Sequence, residues 1–242
     1  MKVNPVSGEV LGGPLEPVYV YEAPIRFWHW TMVVCMFVLI GTGFLIGAPL
    51  PANYAETWNE YLFGYIRMTH FIAGFLFAIL FIVRAYWAIV GNHHARSIFV
   101  PPVWSLSWWN GMWRQGLYYA FILKKSPEWV GHNPMAQIAM FFMYTLGTIL
   151  IIITGFGLYA QQWGWGDSWM NWFGWVTVLF GEPQTVRTWH HALMYYLGIF
   201  AMIHIYMAMR EDVMGGTTQL STMMNGVRMF KHPVDGTDGN KH

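Results

Sequence analysis

The stretch from Arg187 to Asp212, RTWHHALMYYLGIFAMIHIYMAMRED, constrains the fold more than any other part of the chain. It is apolar for about twenty residues, the length at which a helix crosses the hydrocarbon core of a bilayer. Yet it carries His190 and His191 near one end and His204 toward the other, and an ionisable ring in hydrocarbon needs a partner or a function. At about 100° per residue, the fourteen steps from His190 to His204 return a helix to within about 40° of its starting direction after a rise of roughly 21 Å. Both imidazoles then face one side at different depths. A zinc site gathers its ligands around one ion, so two ligands this far apart serve two centres stacked across the bilayer, a geometry that suits two haems. The competing reading is that the histidines are hydrogen-bonding glue between helices.

With 55% hydrophobic and only 10% charged residues among 242, the composition lies far from that of a soluble domain. A formal net charge of +1 offers no basic surface for nucleic acid. The single cysteine, Cys35, lies in an apolar run, which excludes a disulfide framework and a thiolate cluster and leaves redox chemistry to a bound cofactor.

The expected architecture is an all-α integral membrane bundle of four transmembrane helices, at about 27–47, 66–90, 135–160 and 189–209. A polar tail (1–22) precedes the transmembrane domain (23–212) and another (213–242) follows it; the first tail lacks the apolar core of a cleaved signal peptide. The first span places His29 between Trp28 and Trp30 at its entry, and a turn through Pro49 and Pro51 follows. The second holds His70 near its start and Arg84 toward its end. In the long connection after it, WSLSWWNGMWRQGLYYAFILKK suits a helix lying in the interface better than a fifth span. The third span follows His132-Asn133-Pro134, and residues 161–188, Trp-rich and broken by glycines, read as an interfacial or partner-facing loop. No internal repeat stands out.

Of the thirteen Lys and Arg, all but Arg67 and Arg187 fall with the N-terminal tail, the long connection and the C-terminal tail. By the positive-inside tendency both termini are cytoplasmic. Four alternating spans then put His70 and His190 near the outer face, and His29 and His204 toward the inner one, so depth alone sorts them into two bis-histidine haem sites. With both axial positions filled by protein, such centres carry electrons rather than react with substrate. Arg26, Arg67 and Arg187 each stand three residues before His29, His70 and His190, one turn toward the water, where they are candidates to contact haem propionates; plain basic flanking of spans is the other reading. His191 points away from His190 and reads as a polar interhelical contact. His93, His94, His232 and His242 read as solvated.

The segments EAPIRFWHW, GYIRMTH, YWAIVGNHH, GHNP with the apolar run after it, TWHH and HIYMAMREDVM together resemble the Ni,Fe-hydrogenase b-type cytochrome subunit, the membrane anchor of respiratory uptake hydrogenases, from about Val20 to Phe230. The resemblance implies a four-helix di-haem cytochrome b in the bacterial inner membrane. Its axial ligands are His29, His70, His190 and His204, and its cofactor is haem b. Its partners are the small and large subunits of a periplasmic Ni,Fe-hydrogenase, membrane lipid, and quinone as electron acceptor. Hydrogen oxidation itself is not expected here, since the cysteine ligands it needs are missing. The same residues suit the cytochrome b of a formate dehydrogenase or thiosulfate reductase type of enzyme, or a non-redox anchor. His132 and Asn133 are candidates for the quinone site, being hydrogen-bonding groups at the depth of the inner pair; the alternative is that Asn133 caps the third helix before Pro134.

Overall fold

The computed structural model describes residues 2–3, 10–11, 16–49, 61–96, 98–124, 127, 129, 131–215 and 218–230. Pro51, Lys125, Lys231, Lys241, His232 and His242 lie outside them, as do the side chains of His93 and His94. Among the described residues four helices are long and apolar enough to cross a membrane, making this a multi-pass membrane protein. They are α1 (Ala23–Gly47) and α2 (Leu62–Val90), a third running from Pro134 to Ala160, and the span of α8 (Pro183–Gly215). Between α2 and the third span come the single turn α3 (His93–Arg96) and α4 (Leu106–Tyr119). The third span is built as α5 (Pro134–Ala139), a π-helical stretch (Met140–Leu146) and α6 (Gly147–Ala160). The π stretch frees a carbonyl from the regular ladder, and Tyr196 donates its hydroxyl to the carbonyl of Phe142 at 3.2 Å.

The chain divides into two compact units, each fed by stretches of all four spans. The first comprises residues 1–27, 87–141 and 202–242. In it α4, at 14 residues, is too short to cross a bilayer of about 30 Å. Its buried residues Trp108, Gly111, Gln115 and Tyr118 recur at helical spacing, while Leu106 and Trp113 stay exposed, the two-faced pattern of an interfacial helix. A β-carbon on Gly111 would collide with the Trp129 ring and touch Pro134, so this glycine lets α4 lie close to the start of the third span. The polar N-terminal tail supplies strands. β1 (Lys2–Val3) pairs with β2 (Val10–Leu11), and β3 (Glu16–Tyr19) pairs antiparallel with β4 (Val227–Phe230), which follows α9 (Gln219–Asn225). Val20, Tyr21, Ile25 and Ala95 form a small core beneath this ribbon, with Val18, Trp87 and Met223 against it. The Glu22 carboxylate accepts from Trp87 Nε1 at 2.9 Å, so the order there comes from burial and hydrogen bonding that a Gly- and Pro-rich stretch conceals.

The second unit comprises residues 28–86 and 142–201. Here the reading of residues 161–188 as a loop is corrected, because α7 (Ser168–Phe180) takes up its middle and α8 begins at Pro183. Asp167 caps it, its carboxylate accepting the Trp169 amide at 2.8 Å, and Gly181 ends it at φ 84°, a conformation that favours glycine. The glycine inside the helix, Gly174, is buried against Met170, so it serves packing and does not break the helix. A β-carbon on Gly157 would lie 2.8 Å from the Val176 side chain, which shows how closely α6 and α7 approach. Phe75, Phe156, Tyr159, Trp169 and Phe173 pack as one aromatic cluster with ring centroids 5.0 to 6.0 Å apart.

Candidate cofactor site

Within the second unit, α2 and α8 bring His70 and His190 together, their ring centroids 6.5 Å apart and their planes inclined at 73°. Both rings line a cavity of about 640 Å³, a volume in the range of cofactor pockets. Its walls are mainly Leu, Ile, Phe and Met from α1, α2, α6 and α8, and its polar residues include Arg67, Arg187, Gln162, Gln184 and His191. Arg67 donates to the Gln162 side-chain oxygen Oε1 at 3.4 Å and Arg187 to Oε1 of Gln184 at 3.3 Å. Both arginines remain exposed, as groups would that meet an anion at the cavity mouth. Among the described residues no acidic side chain lines the cavity.

The threonines of α1 and α6 hold the two imidazoles. Thr42 Oγ1 is 2.8 Å from His70 Nδ1, and Thr154 Oγ1 is 2.9 Å from His190 Nδ1. Each hydroxyl also meets the carbonyl one turn back in its own helix, Val38 at 2.6 Å and Leu150 at 2.9 Å. The residue after each threonine is a glycine against the same ring. A β-carbon on Gly43 would lie 3.5 Å from His70 Cε1, and one on Gly155 would lie 3.2 Å from His190 Cε1. The residues Thr42, Gly43 and Phe44 thus have counterparts in Thr154, Gly155 and Phe156, a three-residue recurrence between the first and third spans. Sequence reasoning missed it because a threonine in a membrane helix usually bonds back to its own backbone, and nothing in the sequence said which histidine stood opposite.

This donor set fits haem. Two neutral imidazoles 6.5 Å apart, lining an apolar cavity that also has arginines in its lining, are the side chains that a b-type haem with protein ligands and acidic propionates would take. Among the described residues no three or more of His, Cys, Asp and Glu gather as a metal cluster. Two imidazoles suffice only where a cofactor brings the remaining ligands.

The other proposed site residues fall elsewhere. His29 lies in the second unit between the rings of Trp28 and Trp30, at 6.5 and 5.2 Å, whereas His204 belongs to the first. Arg26 donates to the Met224 carbonyl. The ring of His191 lies against Gly47, where a β-carbon would come within 2.9 Å of it. Asn133 caps the third span: its side-chain oxygen accepts from the Ala136 amide at 2.7 Å and its nitrogen donates to the Tyr119 hydroxyl at 2.9 Å. His132 Nδ1 stands 3.4 Å from the Tyr21 hydroxyl. Near them Gln115, fully buried, accepts from Trp129 Nε1 at 3.0 Å and meets Glu211 at 3.5 Å. The Arg210 guanidinium packs over Tyr118 and Tyr119. Burial, with the Glu211 carboxylate adding to it, raises the Tyr119 hydroxyl to a pKa of about 12.

Residues 20–226 match the family described as prokaryotic cytochrome b561. A probable Ni/Fe-hydrogenase B-type cytochrome subunit of Azotobacter vinelandii is 49% identical over 88% of this chain and 89% of its own length. The corresponding subunit of Cupriavidus necator is 42% identical over 91% and 90%. The probable Ni/Fe-hydrogenase 1 B-type cytochrome subunit of Escherichia coli K12 is 43% identical over 88% and 91%. The chain therefore belongs to the prokaryotic cytochrome b561 family, among the Ni/Fe-hydrogenase b-type cytochrome subunits.

Proposed function

We propose that this chain is the membrane anchor and electron-transfer subunit of a hydrogen:quinone oxidoreductase, standing between a periplasmic Ni,Fe-hydrogenase and the quinone pool of the inner membrane. The observation that carries the reading is the His70–His190 pair, its rings 6.5 Å apart in the lining of an apolar cavity with arginines among its other lining residues. Haem b bound there would supply reversible one-electron transfer. His70 and His190 would hold its iron through their imidazole nitrogens, leaving the centre to carry electrons rather than react with substrate. Arg67 and Arg187 would neutralise its propionates at the headgroup level, and the surrounding Leu, Ile and Phe side chains would keep water from it. A second haem falls to His29 and His204, on the depth argument from sequence and on family membership, with Arg26 as the corresponding propionate contact.

Both termini are cytoplasmic in this reading, as the distribution of Lys and Arg indicates, and the hydrogenase small and large subunits lie outside. The tails (1–22 and 213–242) flank the four-span domain (23–212). Quinone is reduced on the cytoplasmic side near His132, which can hold a quinone carbonyl and pass on a proton near neutral pH. Asn133, whose amide is engaged by Ala136 and Tyr119, fixes the helix start beside it. Proton uptake inside and release outside would then build a proton-motive force without a pump. The test is hydrogen-driven reduction in the isolated complex. His132→Ala should slow quinone reduction while the haems still reduce at the normal rate. An unchanged quinone rate in an assembled variant would move the quinone site, and a complex in which formate but not hydrogen reduces the chain would reassign the partner.

A further inference from the structure

We propose that Thr42 and Thr154 are positioning residues that lock both imidazoles of the His70–His190 centre in the Nδ1–H tautomer and lower its reduction potential; this rests on the haem reading of the same site. The assignment follows from counting protons. A hydroxyl has one proton and a backbone carbonyl has none to give. Thr42 Oγ1 lies 2.6 Å from the Val38 carbonyl, and Thr154 Oγ1 lies 2.9 Å from the Leu150 carbonyl and 3.1 Å from that of Ile151. Each threonine therefore donates into its own helix and turns a lone pair toward the imidazole. At 2.8 and 2.9 Å, Nδ1 of His70 and of His190 must then be the donors. With the proton on Nδ1, Nε2 is left as the free lone pair on both rings.

The arrangement is built twice, from two different helices onto two others. The glycine after each threonine lies against the same ring: a β-carbon on Gly155 would press on the His190 ring carbon between the two nitrogens at 3.2 Å, and one on Gly43 would reach ordinary contact with that of His70 at 3.5 Å. Each threonine spends its proton on a neighbouring turn, so its oxygen is a committed acceptor. A committed acceptor on Nδ1–H makes the imidazole a stronger electron donor through Nε2, which favours ferric over ferrous iron. A threonine serving only as helix glue would hold the ring without setting the iron's potential.

The experiment is a redox titration of the hydrogenase complex in membranes, followed by haem absorbance and by electron paramagnetic resonance, with Thr42→Val, Thr154→Val and the corresponding serine variants. Each valine should weaken the preference for ferric iron roughly five- to tenfold, which at about 59 mV per tenfold for one electron is a positive shift of about 40 to 60 mV. Each serine, which keeps the hydroxyl, should return the wild-type potential. If the valine variants lose the haem, the serine variants decide: wild-type haem content and potential support the assignment, and loss of haem in serine as in valine overturns it. Unmoved potentials in valine variants that retain both haems also overturn it, while leaving the haem reading intact. A wild-type chain without a bis-imidazole signal would instead remove the haem reading.

Discussion

Replacing Gly155 with alanine would bring a β-carbon to 3.2 Å from Cε1 and 3.8 Å from Nδ1 of His190. Carbon atoms are in comfortable contact at about 3.5–4.0 Å, so the ring must yield by roughly 0.3 Å or more. It has little freedom to do so, because Thr154 holds Nδ1 at 2.9 Å on one side and an iron would hold Nε2 on the other. Overpacking of this kind costs about 1–3 kcal/mol, which corresponds to a loss of haem affinity of roughly five- to more than a hundredfold. Gly43→Ala is the internal control, since its β-carbon would meet the Met194 thioether at 3.4 Å and His70 Cε1 at 3.5 Å, and the flexible methionine can move aside. The assay is haem per chain in the purified complex, by pyridine haemochrome, after dilution and washing. Gly155→Ala should lose haem from one centre while Gly43→Ala stays near wild type. Equal retention in the two variants would refute the claim that the His190 ring is fixed in its observed place.

Further outcomes follow from the same geometry. His70→Ala and His190→Ala should remove the same haem signal, His29→Ala and His204→Ala the other, and His191→Ala neither; a defect shared by His70→Ala and His204→Ala would break the pairing. On α7, Trp172 and Trp175 are exposed while Trp169 sits in the aromatic cluster. Replacing Trp172 and Trp175 by serine should therefore release hydrogenase from the solubilised complex without changing the haem spectrum, whereas Trp169→Ser should lower thermal stability by about 3–5 kcal/mol, as truncation of a packed tryptophan does. Tyr119 titrates at about 12 in the fold against an ordinary 10.0, so the folded state keeps its proton longer than the unfolded chain. The stability this gives is complete below pH 10 and is lost as pH rises toward about 12. Thermal unfolding across that window should therefore steepen with pH less in Tyr119→Phe than in wild type, and equal slopes would contradict it.

The spans were legible because bilayer length, low charge and flanking aromatics are all written in the local sequence. The depth rule also named His70 and His190 as partners, and the structure brings these two rings together. The threonine supports were not legible. Their role depends on which residue stands opposite across a helix pair, although the recurring Thr-Gly-Phe was a signal that could have been followed. α7 was hidden for a different reason: a run half a bilayer long with glycines resembles a loop until Asp167 is recognised as its cap and Gly181 as its stop. At Asn133 the sequence offered a helix cap and a quinone contact as alternatives. The capping geometry is present, and the amide nitrogen is engaged as well by Tyr119, a residue fourteen positions away that no local pattern would single out.

The most direct test of the central claim is haem quantification with a dithionite-reduced spectrum on the intact complex, carried out on wild type, His70→Ala and His190→Ala. The account predicts two b haems per chain with bis-imidazole spectra in the wild type, and loss of the same single haem in both variants, the other remaining reducible by hydrogen. A wild-type chain without reducible haem, or two variants that each keep the wild-type haem content, would contradict it.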